Sequence, residues 1–277
     1  MNPKLTVFDG HSLVDVRELN DSEAEVYRKA SKCLLNFWAD QKLFQVVSLN
    51  YNDFVDYYKH CSEKCKEGEP HNWILMDEWF LNFNRHLLNY LSSVRTFLDH
   101  SEKNIHDRHG HSSPTLVRFE EACHNAYDNH FAYRFLYELR NYAQHCGLPI
   151  GGIKIGEVLE VFFDRDVLLG RYKKWKNIES ELKQCKPRFE VAPLLNEMMD
   201  CLYRILFSKE DGWPDLIQSA EFINTLQVVI RNTANTLYIK KAERRNTLNQ
   251  IEYDFEWLVF PAAELVSKIK ASQSLAQ

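Results

Sequence analysis

The chain has 277 residues, 45% of them hydrophobic and 26% charged, with a formal net charge of −5. That length holds one large domain or two small ones around a substantial core, in the composition range of a soluble globular protein. The net charge argues against a generally basic coat for nucleic acid but leaves room for a local basic track. No uninterrupted apolar run is long enough to span a bilayer, and "MNPKLTVFDGHSLVDVRELNDSEAE" has no basic segment followed by an apolar one, so neither membrane span nor secretory signal is expected. The seven cysteines are odd in number and contain no CxxC pair, which reads as reduced thiols in a cytoplasmic protein. Cys61 and Cys65 share a helix face, as metal ligands sometimes do, but lack a second pair of matching spacing. No metal or other cofactor is expected.

In chain order, residues 4–17 alternate weakly and suggest a short strand or hairpin, leaving 1–20 as an irregular or β lead-in. Asp21 or Ser22 then caps a helix running to about Gln41. A second helix fits Asn52 to Lys66, closed by "EGEP". Trp73 to His100 is a strong helix, with Leu81, Leu88, Leu91, Val94, Phe97 and Leu98 on one face. The His-rich "NIHDRHGHSSP" reads as a loop; His106, His109 and His111 resemble a metal cluster but lack supporting carboxylates. Ser113-Pro114 opens a helix whose continuation reaches Cys146, where Gly147 and Pro149 stop it. "IGEVLEVFFDRDVLLG" is the clear strand candidate, a small β element near residues 156–169. Helices then resume at about 171–185, 191–208, 213–241 and 253–270. Few Gly and Pro, no repeat and no flexible linker point to a mainly α, single multi-helix domain over residues 1–277.

The helix "FLYELRNYAQHCGLPI", Phe135 to Ile150, carries the polar residues of interest. At about 100° per residue, Ala132, Phe135, Leu136, Leu139, Tyr142, Ala143 and Cys146 form an apolar stripe, and Arg134, Glu138, Asn141 and His145 the opposite one. Arg140 lies at the border, about 140° from His145. His145 stands in the last turn, where carbonyl ends favour a cation. The chemistry is coherent at a phosphate: Arg140 offers a fork of donors, His145 moves protons, Asn141 positions, and no metal is required. The competing reading is a solvated or interface face. Three Arg–His pairs at this spacing occur, Arg95–His100, Arg118–His124 and Arg140–His145; only the last has Asn, Asp or His directly after the Arg.

"FLYELRNYAQH" resembles the signature helix of the HEPN superfamily, in which an Arg is followed directly by a polar residue and, four to six positions after the Arg, by a His. Arg140, Asn141 and His145 match one by one, and Asn84 to His100 resembles the long helix preceding the signature in bacterial members. The resemblance covers about residues 73–150. It implies a helical bundle and a two-fold homodimer whose signature helices meet, bringing Arg140 of one subunit to His145 of the other. It also implies RNA as substrate, with cleavage by 2′-OH attack leaving a 2′,3′-cyclic phosphate. Family members serve as toxins or antiviral effectors, some held by an antitoxin or regulatory protein partner; others only bind nucleotides or proteins. Glu138, Arg134, Arg95 and His100 are supporting candidates. Arg95 and His100 read equally as helix-surface residues. "RYKKWKNIESELKQCKPR" supplies a basic track, with Arg171, Lys173, Lys174 and Lys176 for RNA phosphates and Tyr172 and Trp175 either stacking on bases or buried. "KKAERR", Lys240 to Arg245, is a weaker copy. A non-catalytic helical interaction or nucleotide-binding module is the alternative function.

Overall fold

A computed structural model describes residues 3–8, 10–67, 72–156, 158–208, 213–228, 236–247 and 249–258. It is mainly helical, with two small antiparallel sheets. No described helix is long and apolar enough to cross a membrane. Where the sequence reads as one helical domain, the chain forms two compact units, residues 1–39 with 211–277 and residues 40–210, and each has its own core.

In the first unit, β1 (Lys4–Phe8) and β2 (Leu13–Glu18) form the expected hairpin. The sequence there leads into α1 (Asp21–Lys66), whose residues up to Ala39 belong to this unit. Late in the chain come α8 (Trp213–Val228), β6 (Thr236–Arg245) and β7 (Ile251–Trp257), and the sheet order is β2-β1-β6-β7. Leu5 and Ile239 pair across β1 and β6 and are both fully buried, alongside Tyr27, Leu34, Ala220 and Ile223. The two helices expected over 213–241 and 253–270 are therefore corrected: the first ends at Val228 and strands follow. Residues 229–235 and 259–270 lie outside the described ones. The pairing of β6 with β1 joins segments more than two hundred residues apart, which local periodicity does not register. Asp15 accepts from Lys240 Nζ at 2.6 Å and Thr6 Oγ1 at 3.1 Å. Burial acts to raise this carboxyl, but the bonds from Lys240 and Thr6 outweigh it and hold it below its usual pKa. The stability it contributes is thus present above the ordinary carboxylate range and lost as pH falls through the lowered value. Asp15→Asn should lower the melting temperature at about pH 6 and cost progressively less towards about pH 3; a difference that does not change with pH contradicts this.

The second unit begins with Asp40–Lys66 of α1. No break occurs between Gln41 and Asn52, because neither Gly nor Pro interrupts the segment and Phe44, Val47 and Phe54 are buried on one face. Next come α2 (Trp73–His109), α3 (Pro114–Asn129), α4 (Phe131–His145) and, later, α7 (Val191–Phe207). The His-rich stretch is helical up to His109, since Ser101 and Ile105 continue the buried stripe and Arg108 clamps Asp40 at 2.7 and 3.1 Å. Gly110, with φ +85°, ends α2. Ser113 caps α3, accepting from Leu116 N. The rings of His106 and His111 lie 3.6 Å apart, and among the described residues no group of three His, Cys, Asp or Glu side chains could hold a metal.

β3 (Gly152–Ile155), β4 (Leu159–Asp164) and β5 (Arg188–Glu190) make the second sheet, in that order. The strand expected near 156–169 is shorter, because Asp164 Oδ1 accepts from Asp166 N and Val167 N and starts α5 (Arg165–Arg171). Gly151 closes onto this corner: a Cβ there would stand 2.5 Å from Asp164 N. The helix expected over 171–185 is also corrected. Tyr172 to Trp175 is irregular, a 3-10 turn covers Lys176–Ile178, and only α6 (Glu179–Gln184) is α-helical.

Candidate functional site

Helix α4 is held through its apolar stripe. Phe135, Leu136, Leu139 and Tyr142 are fully buried. Trp175, 1% exposed, stacks on both Phe135 and Tyr142 at centroid distances of 6.0 and 5.9 Å and donates its indole N–H to Leu168 O. Tyr172 packs edge-on against Trp175 at 5.1 Å. Both aromatics of the basic track are therefore core anchors and do not stack on bases. Tyr172 and Trp175 are buried while Arg171, Lys173 and Lys174 between and beside them are exposed.

The result is a cleft of about 350 Å³ lined by Asn141, His145 and Cys146 from the end of α4 and by Arg171, Tyr172, Lys173 and Lys174. Two sequence signals about thirty residues apart, the signature helix and the basic track, thus meet in one place. Cys146 Sγ lies 3.6 Å from Arg171 O, which ties the two walls together. Burial pushes the Tyr142 phenol up while the neighbouring Arg171 guanidinium pulls it down. Lys173 Nζ donates to Leu169 O at 2.9 Å, closing its own turn. Among the described residues the side chains of His145 and Lys174 make no hydrogen bond or ion pair, so both are available to a ligand.

Gly147 ends α4 with φ +141°, and a Cβ there would touch Arg171 Nη1 at 3.4 Å. Gly147→Ala should destabilise the chain by about 1–3 kcal/mol through backbone strain, read from urea unfolding; an unchanged midpoint contradicts it.

Glu138 is not on a solvated stripe, as the wheel suggests, but 1% exposed. Its Oε1 accepts from Lys176 Nζ at 2.8 Å and its Oε2 from Asn141 Nδ2 at 3.1 Å. Lys176, whose pKa this hydrogen bond raises, adopts φ +52° and is committed to Glu138 rather than free for phosphate. Arg134 is also committed, to Glu181 Oε2 at 2.7 Å and to Tyr127 O. Arg140 does not line the cleft; its Nε is buried and without a hydrogen-bond acceptor. Arg95 pairs with Asp99 at 2.8 Å and its guanidinium lies 5.0 Å from the Tyr137 ring centroid, while His100 is exposed; neither lines the cleft. Lys240 of the weaker basic stretch is committed to Asp15, and the side chains of 242–245 lie outside the described ones.

Sequence reading does not identify Cys146 as a wall residue, nor the Glu138–Lys176 pair. The Gly147 helix stop was the one available signal; the pair joins positions 38 apart and leaves no local pattern. No family model, curated protein or solved structure matches the chain.

Proposed function

We propose that the chain is a metal-independent endoribonuclease of HEPN type. The observation that carries this reading is the meeting of His145 and Asn141 with Arg171, Lys173 and Lys174 in one cleft. Cations attract the phosphodiester, and an exposed imidazole beside them moves protons. The ribose 2′-oxygen attacks the adjacent phosphorus, the bond from phosphorus to the 5′-oxygen breaks, and the products carry a 2′,3′-cyclic phosphate and a 5′-OH. His145 takes the 2′-OH proton and returns a proton to the departing 5′-oxygen. Within one subunit Arg171 is the guanidinium that meets the developing negative charge. Arg140 joins the reaction only through a second copy of the chain in a two-fold dimer, whose commonest form is isologous. Looped RNA is the preferred substrate because its backbone reaches in-line geometry. A cytoplasmic toxin or antiviral effector, held in check by an antitoxin or regulatory protein, belongs to this proposal.

One observation favours a second reading, a nucleotide-binding module without cleavage: Arg140 lies off the cleft that holds His145. Incubating the purified chain with total RNA in EDTA and characterising the fragment ends separates the two. Fragments with cyclic phosphate and 5′-OH ends are expected. Intact RNA, or 5′-phosphate ends, would defeat the nuclease proposal.

A further inference from the structure

Glu138 fixes what Asn141 can offer. A carboxylate accepts hydrogen bonds and does not donate them, so the atom of Asn141 that meets Glu138 Oε2 at 3.1 Å is the amide Nδ2. Flipping the amide would set two acceptors against each other. Glu138 itself cannot turn away, since it is buried and its other oxygen holds Lys176. One of the two Nδ2 hydrogens is committed to Glu138, and Oδ1, which has no partner among the described residues, is the acceptor that this cleft-lining residue adds.

A carbonyl acceptor suits an oxyanion poorly and a hydroxyl well. Arg171 and Lys174, by contrast, carry only donors. The cleft therefore matches a ligand in which a phosphate and a hydroxyl sit side by side. In ribose bearing a 3′-phosphate the 2′-OH is that neighbour, and in deoxyribose it is missing. From this we infer that Asn141 is a specificity-determining residue, its Oδ1 accepting the 2′-OH of a ribose whose 3′-phosphate rests on Arg171 and Lys174, with Glu138 as the positioning residue behind it. The contact belongs to the ground state; Asn141 takes no proton. The inference rests on the ribonucleotide reading of the cleft but not on cleavage, and its chemistry is shared by an RNA chain and a free nucleoside 3′-phosphate.

The test measures binding of adenosine 3′-phosphate and 2′-deoxyadenosine 3′-phosphate by calorimetry, with no phosphodiester to cut. The wild type should prefer the ribonucleotide by about fivefold, the scale of one neutral hydrogen bond. Asn141→Leu should erase the preference while holding the deoxynucleotide within about twofold. Asn141→Ser, too short to reach, should do the same, and melting curves establish that both variants are folded. Glu138→Gln, which no longer dictates the amide orientation, should weaken the preference in part. Equal affinities in the wild type, no binding of either nucleotide, or a preference that survives in folded Asn141→Leu overturns the inference. Oligoribonucleotide and oligodeoxyribonucleotide measured on His145→Ala form the second arm; tighter binding of the ribose oligomer than of the mononucleotide names RNA as the source, and the reverse names the free nucleotide. Ribose preference without cleavage in EDTA leaves this inference standing and removes the nuclease; cleavage without ribose preference does the opposite.

Discussion

His145→Ala should slow metal-free RNA cleavage by about 10²–10⁴-fold, the usual contribution of a positioned acid–base group. The same change should leave RNA affinity within about threefold, because Arg171 and Lys174 supply the attraction to phosphate. It should also leave stability within about 0.5 kcal/mol, since the imidazole is exposed and makes no hydrogen bond among the described residues. Single-turnover rates, anisotropy and melting curves read the three quantities separately. Replacing Arg171 and Lys174 together with glutamine should give the complementary pattern. Affinity falls, and the dependence of log affinity on log salt flattens by about 1.4, two contacts at the single-strand value of about 0.7 each. If His145→Ala cuts RNA as fast as the wild type, the observed nuclease is another protein or another site.

Asn84→Ala should destabilise the chain by about 2–4 kcal/mol, from a lost buried side chain and an unsatisfied buried donor. Asn84 is fully buried within α2. Its Oδ1 accepts from Ile150 N at 3.0 Å and its Nδ2 donates to Phe80 O at 2.9 Å. Ile150 ends the segment that leaves α4 through Cys146 and Gly147, so this one amide pins the chain just beyond the cleft wall. Truncation leaves the Ile150 N–H, itself buried, without an acceptor. Asn82 is the control: it also donates to the carbonyl four residues back, Glu78 O at 3.0 Å, but from a more exposed position. Asn82→Ala should cost within about 0.5 kcal/mol. Equal costs at the two positions, measured by urea unfolding, would show that the Ile150 bond carries no weight.

The helices of the second unit were legible wherever one apolar face repeats. Leu91, Val94, Phe97 and Leu98 give the periodicity of α2 and are buried, whereas Leu81, read onto the same face, is exposed; Ser113-Pro114 marks the start of α3, and Gly147 stops α4. Features decided by distant partners were not. β7 alternates Ile251, Tyr253, Phe255 and Trp257 with acidic residues, but its place is set by pairing with β6, and β6 pairs in turn with β1 from the other end of the chain. The stretch from Tyr172 to Ile178 has helical composition, yet Tyr172, Trp175 and Ile178 are all buried, and the segment is irregular up to Trp175 and a 3-10 turn beyond it. Glu138 shows the same limit at the site. Its spacing places it with Arg134 and Asn141, but its carboxylate is buried and paired with Lys176, which arrives from elsewhere in the sequence.

Tyr172 and Trp175 have a thermodynamic consequence for whatever anion the cleft receives. By rooting the ribbon of cations in the interior, they leave little disorder to be lost when a ligand arrives. Association should then show a small heat-capacity change and no concentration-independent kinetic phase, unlike a basic tail that folds on contact. The positive field of the ribbon stands ready in the free protein, before any guest has come.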